Sequence, residues 1–359
     1  MDLDDLAGIR RLDPERILAS IEKLPSQCQQ AWEETKKVRV PVFYKQKVKN
    51  IVIIGMGGSA LGPHVVQSLF FDQLRVPLQI VNDYHLPAYT DDKTLVILSS
   101  NSGSTEEVLA AAQEAIGKKT MMMGMTTGGK LAGLLRERQV PAYIFEQKHN
   151  PSDQPRMSTG YMVLGMAGLL RQLGVIEVDD QRVSEAIKFL REVSEQWRVR
   201  RSEKVNNAKQ AAQKLRGRVV ILIGAQFLTG SVHAFCNQLN ENAKNMASYF
   251  ALPELNHHLM EGLGFPSSNK SNLVSLFINS GLYDKRLQLR FELTEEVMQK
   301  NGIEVVKFRP TGSTRLKQVL EVLSWGSYVG FYLAMLNNLN PCRIPWVDHF
   351  KKQLAARDA

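Results

Sequence analysis

Several hydroxyl side chains follow one apolar stretch of the chain, at positions where they could bind a phosphate. Residues 95–98 are four consecutive apolar residues, typical of a strand buried on both faces of a parallel sheet. Ser100, Ser102, Ser104 and Thr105 come directly after this strand. A phosphate is held in proteins by backbone N–H groups and hydroxyl donors at the start of a helix. This stretch therefore favours a phosphate site.

The same stretch also carries a signal for the start of a helix. Ser104 and Glu107 have the spacing of a capping box, which predicts a helix beginning here. A helix start leaves N–H groups unpaired and carries partial positive charge. A well-capped turn without a ligand fits this stretch equally well when it is taken alone.

A second loop of the same kind lies upstream. An apolar strand at 51–54 leads into a glycine turn with Gly57, Gly58 and Ser59, and an amphipathic helix follows. The glycines also fit the dinucleotide pattern GxGxxG/A, with Asp83 where a ribose-binding acid would lie, but a single match of this pattern is weak evidence. Because the carboxyl ends of parallel strands share one edge of a sheet, the two loops together favour one sugar phosphate.

Four further segments hold candidates for acid–base chemistry. Glu241 lies between two asparagines, which are poor helix formers, and is either a positioned general base or a surface carboxylate beside Lys244. Arg156 either binds carbonyls or stabilises an oxyanion. Of His257 and His258, one is expected to be structural and the other an acid or base. A metal site with Glu254 or Glu261 is disfavoured because the HExxH spacing is absent, and Lys351 and Lys352 taken alone indicate only a solvated helix.

The overall composition excludes several classes of protein. The 45 Lys and Arg against 36 Asp and Glu give a net charge of +9, but the basic residues are spread along the chain, which disfavours nucleic-acid binding. Three scattered cysteines indicate neither disulfides nor a zinc site. The acidic start of the chain and the lack of a long apolar run predict no secretory signal and no membrane span. We therefore expect a cytoplasmic protein.

The pattern of apolar stretches predicts an α/β protein with two doubly wound parallel sheets. At 359 residues, two domains are expected. We predict an N-terminal helical segment at 1–48, a first domain at 49–158, connecting helices at 159–216, a second domain at 217–340 and a C-terminal helix within 341–359. Among the connecting helices, we expect one long helix from Asp180 to about Leu215. Strands are predicted near 51–54, 78–83, 95–99, 119–125, 142–145, 218–224, 273–279 and 303–308.

Five motifs in this order resemble one protein family. GMGGSALG, SSNSGSTEE, PRMSTGYM, NENAKN and PELNHH are similar to the bifunctional phosphoglucose/phosphomannose isomerases, which consist of two sugar isomerase (SIS) domains in a three-layer αβα arrangement. The similarity covers about residues 49 to 352. The first two motifs occur widely in SIS proteins and specify only sugar-phosphate binding, whereas the later motifs are specific to the isomerases.

The resemblance implies a role for each matching residue. It places Gly57, Gly58 and Ser59 beside the sugar, and Ser100, Ser102 and Thr105 on the phosphate. Among the residues it implies to be catalytic, Glu241 is the base and Arg156 stabilises the enediolate. His257 reaches the site from the partner subunit of a homodimer and opens the ring with help from Lys351, which lies next to Lys352.

The implied reaction interconverts glucose 6-phosphate, or mannose 6-phosphate, with fructose 6-phosphate, and needs no metal and no redox cofactor. Two positions depart from the family: His258 and Leu259 replace the last two residues of the motif NHNE, and the turn at 340–343 lacks a threonine. The alternatives are a non-catalytic SIS regulator that binds a sugar phosphate and an NAD-dependent oxidoreductase.

Overall fold

The structure is a computed structural model that describes residues 1–357. The chain begins with four short helices, which precede the first of two parallel sheets. Both sheets lie inside the segments that the sequence predicts as domains, and helices cover them. The helices of the N-terminal segment are α1 (Leu6–Leu12), α2 (Ile17–Glu22), α3 (Leu24–Thr35) and α4 (Val42–Lys47).

The first sheet has five parallel strands in the order β2-β1-β3-β4-β5. Strand order reverses between β1 and β3, and ligands of doubly wound sheets bind at such a point. The register pairs Ile54 with Leu98, so the loops that follow β1 and β3 start side by side. The elements are β1 (Asn50–Ile54), α5 (Gly58–Leu69), β2 (Leu78–Val81), β3 (Thr94–Ser99), α6 (Glu106–Gly117), β4 (Met121–Thr126), α7 (Gly129–Glu137) and β5 (Ala142–Ile144).

Three helices connect the sheets: α8 (Thr159–Leu173), α9 (Asp180–Ser194) and α10 (Asn207–Leu215). The prediction of one long helix from Asp180 to about Leu215 is wrong, because residues 195–206 form two short 3-10 turns and a bend. Asn206 begins a new helix by accepting hydrogen bonds from two amides of its first turn. Lys209, one of the basic residues here, is buried and donates to the carbonyls of Leu3 and Val199 at 2.7 and 2.9 Å.

The second sheet has four parallel strands in the order β7-β6-β8-β9. Its edge strand β7 was not predicted, because its residues are mostly half-buried and lack a continuous apolar run. The elements are β6 (Val219–Ala225), α11 (Thr229–Glu241), β7 (Ala247–Leu252), α12 (Asn269–Asn272), β8 (Leu273–Ile278), α13 (Lys285–Lys300), β9 (Glu304–Phe308), α14 (Arg315–Leu336) and α15 (Pro345–Arg357).

Helix α14 is long and apolar enough to cross a membrane by length and composition alone. Its most apolar window is completely buried inside the protein, between α9, α10 and α11. A helix that is apolar on all sides is expected where protein surrounds it. Helix α14 is therefore the central helix of the second domain.

Helices α5 and α11 pack against each other across the two domains in opposite directions. The amide of Gly230, at the start of α11, donates to the hydroxyl of Ser68 near the end of α5 at 3.2 Å. A Cβ atom on Gly230 would lie 2.4 Å from the carbonyl oxygen of His64, so the two helices approach too closely for any larger residue. The antiparallel packing brings the start of α5 towards the end of α11, where Glu241 lies.

Candidate active site

The loops after β1 and β3 are bound to each other by hydrogen bonds. The hydroxyl of Ser59 accepts from the amide of Asn101 at 2.9 Å, and its carbonyl accepts from the hydroxyl of Ser99 at 2.8 Å. Gly57 has a φ of +48°, which favours glycine at this turn. A Cβ atom on Gly58 would be 3.3 Å from the Cα of Arg156. The glycine turn, the hydroxyl loop and Arg156 therefore lie together, as the convergence of the loops predicts.

The hydroxyl loop does not have the predicted capping box. Helix α6 begins at Glu106, and its N-cap residue is Thr105, not Ser104. The side chain of Thr105 forms no cap hydrogen bond, because its hydroxyl is 2.8 Å from that of Ser100. Ser102 accepts from the amide of Ser104 at 3.3 Å and is exposed. The first turn of α6 is thus left without a side-chain cap and faces a group of hydroxyl donors.

Arg156 connects the two halves of the chain. It lies in a 3-10 helix, Pro155–Met157, and is only 8% exposed. Its Nε donates to Oδ1 of Asn242 at 2.7 Å, and its Nη2 donates to the carbonyls of Pro341, at 3.1 Å, and Cys342. Five donors in a rigid fork allow one guanidinium to make all these contacts. Arg156 is held by the second domain and by the turn before α15.

Glu241 is the last residue of α11 and is half-buried. Burial raises the pKa of this carboxyl group, while the positive charges of Arg156, Lys351 and Lys244 oppose the rise. Helix α11 begins at Thr229, and its N-cap residue Leu228 makes no side-chain cap hydrogen bond. A carboxyl group with a raised pKa among cations can take up and return a proton, which is what a general base must do.

The two asparagines beside Glu241 fix its position. The side chain of Asn240 bonds to both backbone groups of Ala247, at 3.0 and 3.1 Å, which ties the end of α11 to the start of β7. Asn242 is 1% exposed and binds Arg156. Their unusual place in a helix was the sequence signal for this arrangement.

The two histidines lie shortly after strand β7. His257 ends a 3-10 helix, Glu254–His257, and is exposed; among residues 1–357 its side chain has no hydrogen bond or ion pair. The Nε2 atom of His258 is 2.7 Å from the carboxylate of Glu254. His258 therefore has the structural partner, and His257 is free to bind elsewhere.

Lys351 and Lys352 both lie on α15, which has no buried residue. Of the two, only Lys351 contributes to the pKa of Glu241. The charge of Lys351 therefore acts on the carboxylate more strongly than that of Lys352 does.

Sequence reasoning noted the turn at 340–343 and Lys244 but not their contacts with the site. Carbonyls of the turn accept from Arg156, although 186 positions separate Arg156 from Cys342. The positive charge of Lys244 lowers the pKa of Glu241. Within the described part of the chain, no three His, Cys, Asp or Glu side chains are grouped so that they could hold a metal ion.

A cavity of about 630 Å³ lies between α5 and α11, but at the other end of this helix pair. His64, His233, Phe71 and Arg315 are among the residues that line it, and none of the predicted site residues does. The candidate active site is instead at the opposite end of the pair, where Gly58 approaches Arg156 and Arg156 binds Asn242.

The fold and the grouped residues define a two-domain α/β protein of the SIS class. Residues 204–354 match the family model described as the bacterial phospho-glucose isomerase C-terminal SIS domain. A hypothetical protein from Thermus thermophilus has a similar structure, with a TM-score of 0.73 over 98% of this chain and 94% of that chain at 18% identity.

Two sequence relatives carry the same name, bifunctional phosphoglucose/phosphomannose isomerase. The protein from Caldicellulosiruptor bescii is 33% identical over 94% of this chain and 98% of its own length. The protein from Aquifex aeolicus is 27% identical over 90% of this chain and 94% of its own. The chain belongs to the bifunctional phosphoglucose/phosphomannose isomerase family, which confirms the resemblance found in its motifs.

Proposed function

We propose that this protein interconverts glucose 6-phosphate and mannose 6-phosphate with fructose 6-phosphate through a cis-enediol. The observation that carries the proposal is the half-buried Glu241 carboxylate. The charges of Arg156 and Lys351 lower its pKa, and Arg156 lies against the glycine turn of the paired sugar-phosphate loops. Family membership supports the same reaction. The proposal includes a cytoplasmic location, in keeping with three buried and unpaired cysteines.

Coupled assays test the proposal: one follows glucose 6-phosphate formed from fructose 6-phosphate, the other fructose 6-phosphate formed from mannose 6-phosphate. We expect activity in both. Activity with fructose 6-phosphate alone would indicate that the departures from the family at His258 or the 340–343 turn change the substrate preference. A folded protein that binds sugar phosphate but is silent in both assays would instead be a regulator.

The phosphate of the substrate is expected to bind at the hydroxyl loop. Ser100 is buried and bonded to Thr105, so two hydroxyls are already oriented next to the open first turn of α6. Backbone N–H groups and these hydroxyls together neutralise a phosphate without a nearby lysine. The sugar then extends towards Gly58 and Arg156.

Replacing Thr105 with Val should raise KM for fructose 6-phosphate on the order of tenfold, because one hydrogen bond to a charged group is lost. The value of kcat should change little, since the phosphate does not react. Steady-state kinetics measure both constants. The matched control is Thr90→Val, which removes a buried hydroxyl that has no hydrogen-bond partner. An unchanged KM in Thr105→Val would place the phosphate elsewhere.

The reaction follows from the charges around the sugar. The partner subunit supplies an imidazole that opens the ring together with the ammonium of Lys351, and the Glu241 carboxylate then moves a proton between carbons 2 and 1. Arg156 offsets the negative charge that develops on the enediol oxygens. A positioned base contributes roughly a hundred- to ten-thousand-fold in rate, and an oxyanion partner about a hundred- to a thousand-fold.

The topology of the second sheet supports a second copy of the chain as the source of the imidazole. Helix α11 returns from the carboxyl end of β6, so Glu241 lies at the amino edge of the second sheet, beside Ala247. Strand β7 then runs six residues to Leu252, and His257 follows at the carboxyl edge. Six residues of strand span about 20 Å, which is too far for an imidazole to reach its own Glu241.

A second copy of the chain would also cover apolar surface. Helix α15 exposes Trp346 by 82% and Phe350 by 64%, with Leu354 one turn further on. A row of exposed apolar side chains on one helix face is typical of a contact with another chain. We therefore propose a homodimer in which His257 of each chain serves the active site of the other.

Mixing two inactive variants tests this exchange. Subunits with Glu241→Gln and subunits with His257→Ala should recover about a quarter of the wild-type activity after random reassociation, since half of the dimers are mixed and each has one complete site. Activity is measured before and after subunit exchange in mild denaturant. Glu241→Gln subunits exchanged among themselves are the control. If activity does not return although mixed dimers form, each chain uses its own histidine.

A further inference from the structure

Lys244 lies three residues beyond Glu241, just after α11, and no role above includes it. Its Nζ donates to the carbonyls of Asn242 at 3.2 Å and Asn340 at 2.8 Å. Its backbone has a φ of +51°, a left-handed conformation for which glycine is the usual residue after a helix. A lysine at such a position is a signal that its side chain is needed there.

Lys244 and Arg156 bind the same two parts of the molecule. Arg156 donates to the side chain of Asn242 and to carbonyls of the 340–342 turn, and Lys244 donates to backbone carbonyls of the same residue and the same turn. Asn340 in turn binds Glu15 at 2.9 Å, which secures the turn against the N-terminal segment. Two cations thus hold the end of α11 and the turn together from both sides.

Lys244 and Arg156 also both act on the carboxylate of Glu241 through their positive charges. The positive charge of Lys244 lowers the pKa of Glu241, against the rise that burial causes. Burial, and then the like charge of Arg156, lower the pKa of Lys244 to about 8, so that it carries its charge at neutral pH. The other charged or titratable groups that act on this cluster are Lys351 and Asp348 on α15 and the thiol of Cys342, and Glu15 and Asp13 act on that thiol.

We propose that Lys244 is a positioning residue for the isomerisation: its ammonium joins the end of α11 to the turn that carries acceptors of Arg156, which places its positive charge near the Glu241 carboxylate. The inference rests on the proposed function. It assigns Lys244 no contact with the substrate.

The acid limb of the pH profile of kcat tests this role. Glu241 acts as a base only when ionised, so kcat falls as the pH falls through its pKa. Removing the charge in Lys244→Gln, which retains an N–H donor, should raise that pKa and move the limb upward by about one pH unit. Below the limb, kcat should then be roughly tenfold lower than in the wild type at the same pH.

Three further variants make the result specific. Lys244→Arg retains the charge and should keep the limb near the wild-type position. Lys244→Asn is neutral and suits a left-handed backbone, so it should show the shifted limb even if Lys244→Gln does not fold. Lys188→Gln removes a charge from an exposed position on α9 and should leave the limb unmoved.

Either of two results would overturn the role of Lys244 while the isomerase assignment stands. One is an unmoved limb in the neutral variants. The other is an equal loss of kcat at every pH in the neutral and arginine variants. A wild-type protein without isomerase activity would instead overturn the proposed function, and the role of Lys244 with it.

Discussion

Replacing Glu241 with Gln is expected to lower kcat by about a hundred- to ten-thousand-fold, the range that a positioned general base contributes. The amide has nearly the shape of the carboxylate but cannot accept the proton from carbon 2 or carbon 1. Glu241 is half-buried, and the charges that act on its pKa are those of three cations, so no neighbour is expected to replace it. The loss should appear equally in both directions of the reaction.

Substrate affinity separates this prediction from a general loss of structure. Glu241→Gln should still bind fructose 6-phosphate with nearly wild-type affinity, because the phosphate is held by the loop at Ser100 and Thr105. Calorimetric titration measures the affinity, and steady-state assays measure kcat. Glu137→Gln, which changes an exposed carboxylate at the end of α7, is the matched control. If Glu241→Gln turns over at near wild-type rates, the base is a different residue.

Arg156→Gln is expected to lower kcat by about a hundred- to a thousand-fold, through loss of the charge that stabilises the enediolate. It should also lower the thermal stability, because Asn242 and the carbonyls of Pro341 and Cys342 lose their buried donor. Thermal unfolding and assays well below the unfolding temperature measure the two effects separately.

Arg156→Lys distinguishes charge from geometry. Lysine retains the charge but cannot bind Asn242 and the 340–342 turn at once, so its kcat should lie between the wild type and Arg156→Gln. Arg136→Gln, an exposed change on α7, serves as the control. A kcat of Arg156→Gln within tenfold of the wild type, in folded protein, would rule out the assigned role.

The strands with continuous apolar runs could be predicted from the sequence, because burial on both faces leaves a local signal. β3 and β6 are of this kind. Strand β7 was missed because it is an edge strand with half-buried residues. The break between α9 and α10 was missed because residues 195–206 contain no proline or glycine, and only the cap at Asn206 marks the new start.

Local sequence signals describe the active site less completely. The sugar-phosphate loops follow their strands directly, and their hydroxyls and glycines are visible as motifs. The environment of Glu241 comes mostly from distant segments, since Arg156 and Lys351 approach it through the packing of α5 on α11 and the return of α15, whereas Lys244 follows three residues later. Spacing along the chain carries no record of such contacts, and the resemblance to the isomerases supplied the assignments of Glu241, Arg156, His257 and Lys351.

The central claim is that proton transfer between carbons 2 and 1 is the reaction catalysed. Incubating the protein with fructose 6-phosphate in deuterium oxide, and following the products by NMR, tests this claim directly. We expect glucose 6-phosphate and mannose 6-phosphate that carry deuterium at carbon 2 after repeated turnovers, because the proton on Glu241 exchanges with solvent. Aldose without deuterium at carbon 2 would indicate a hydride shift, and the absence of any aldose would contradict the isomerase assignment itself.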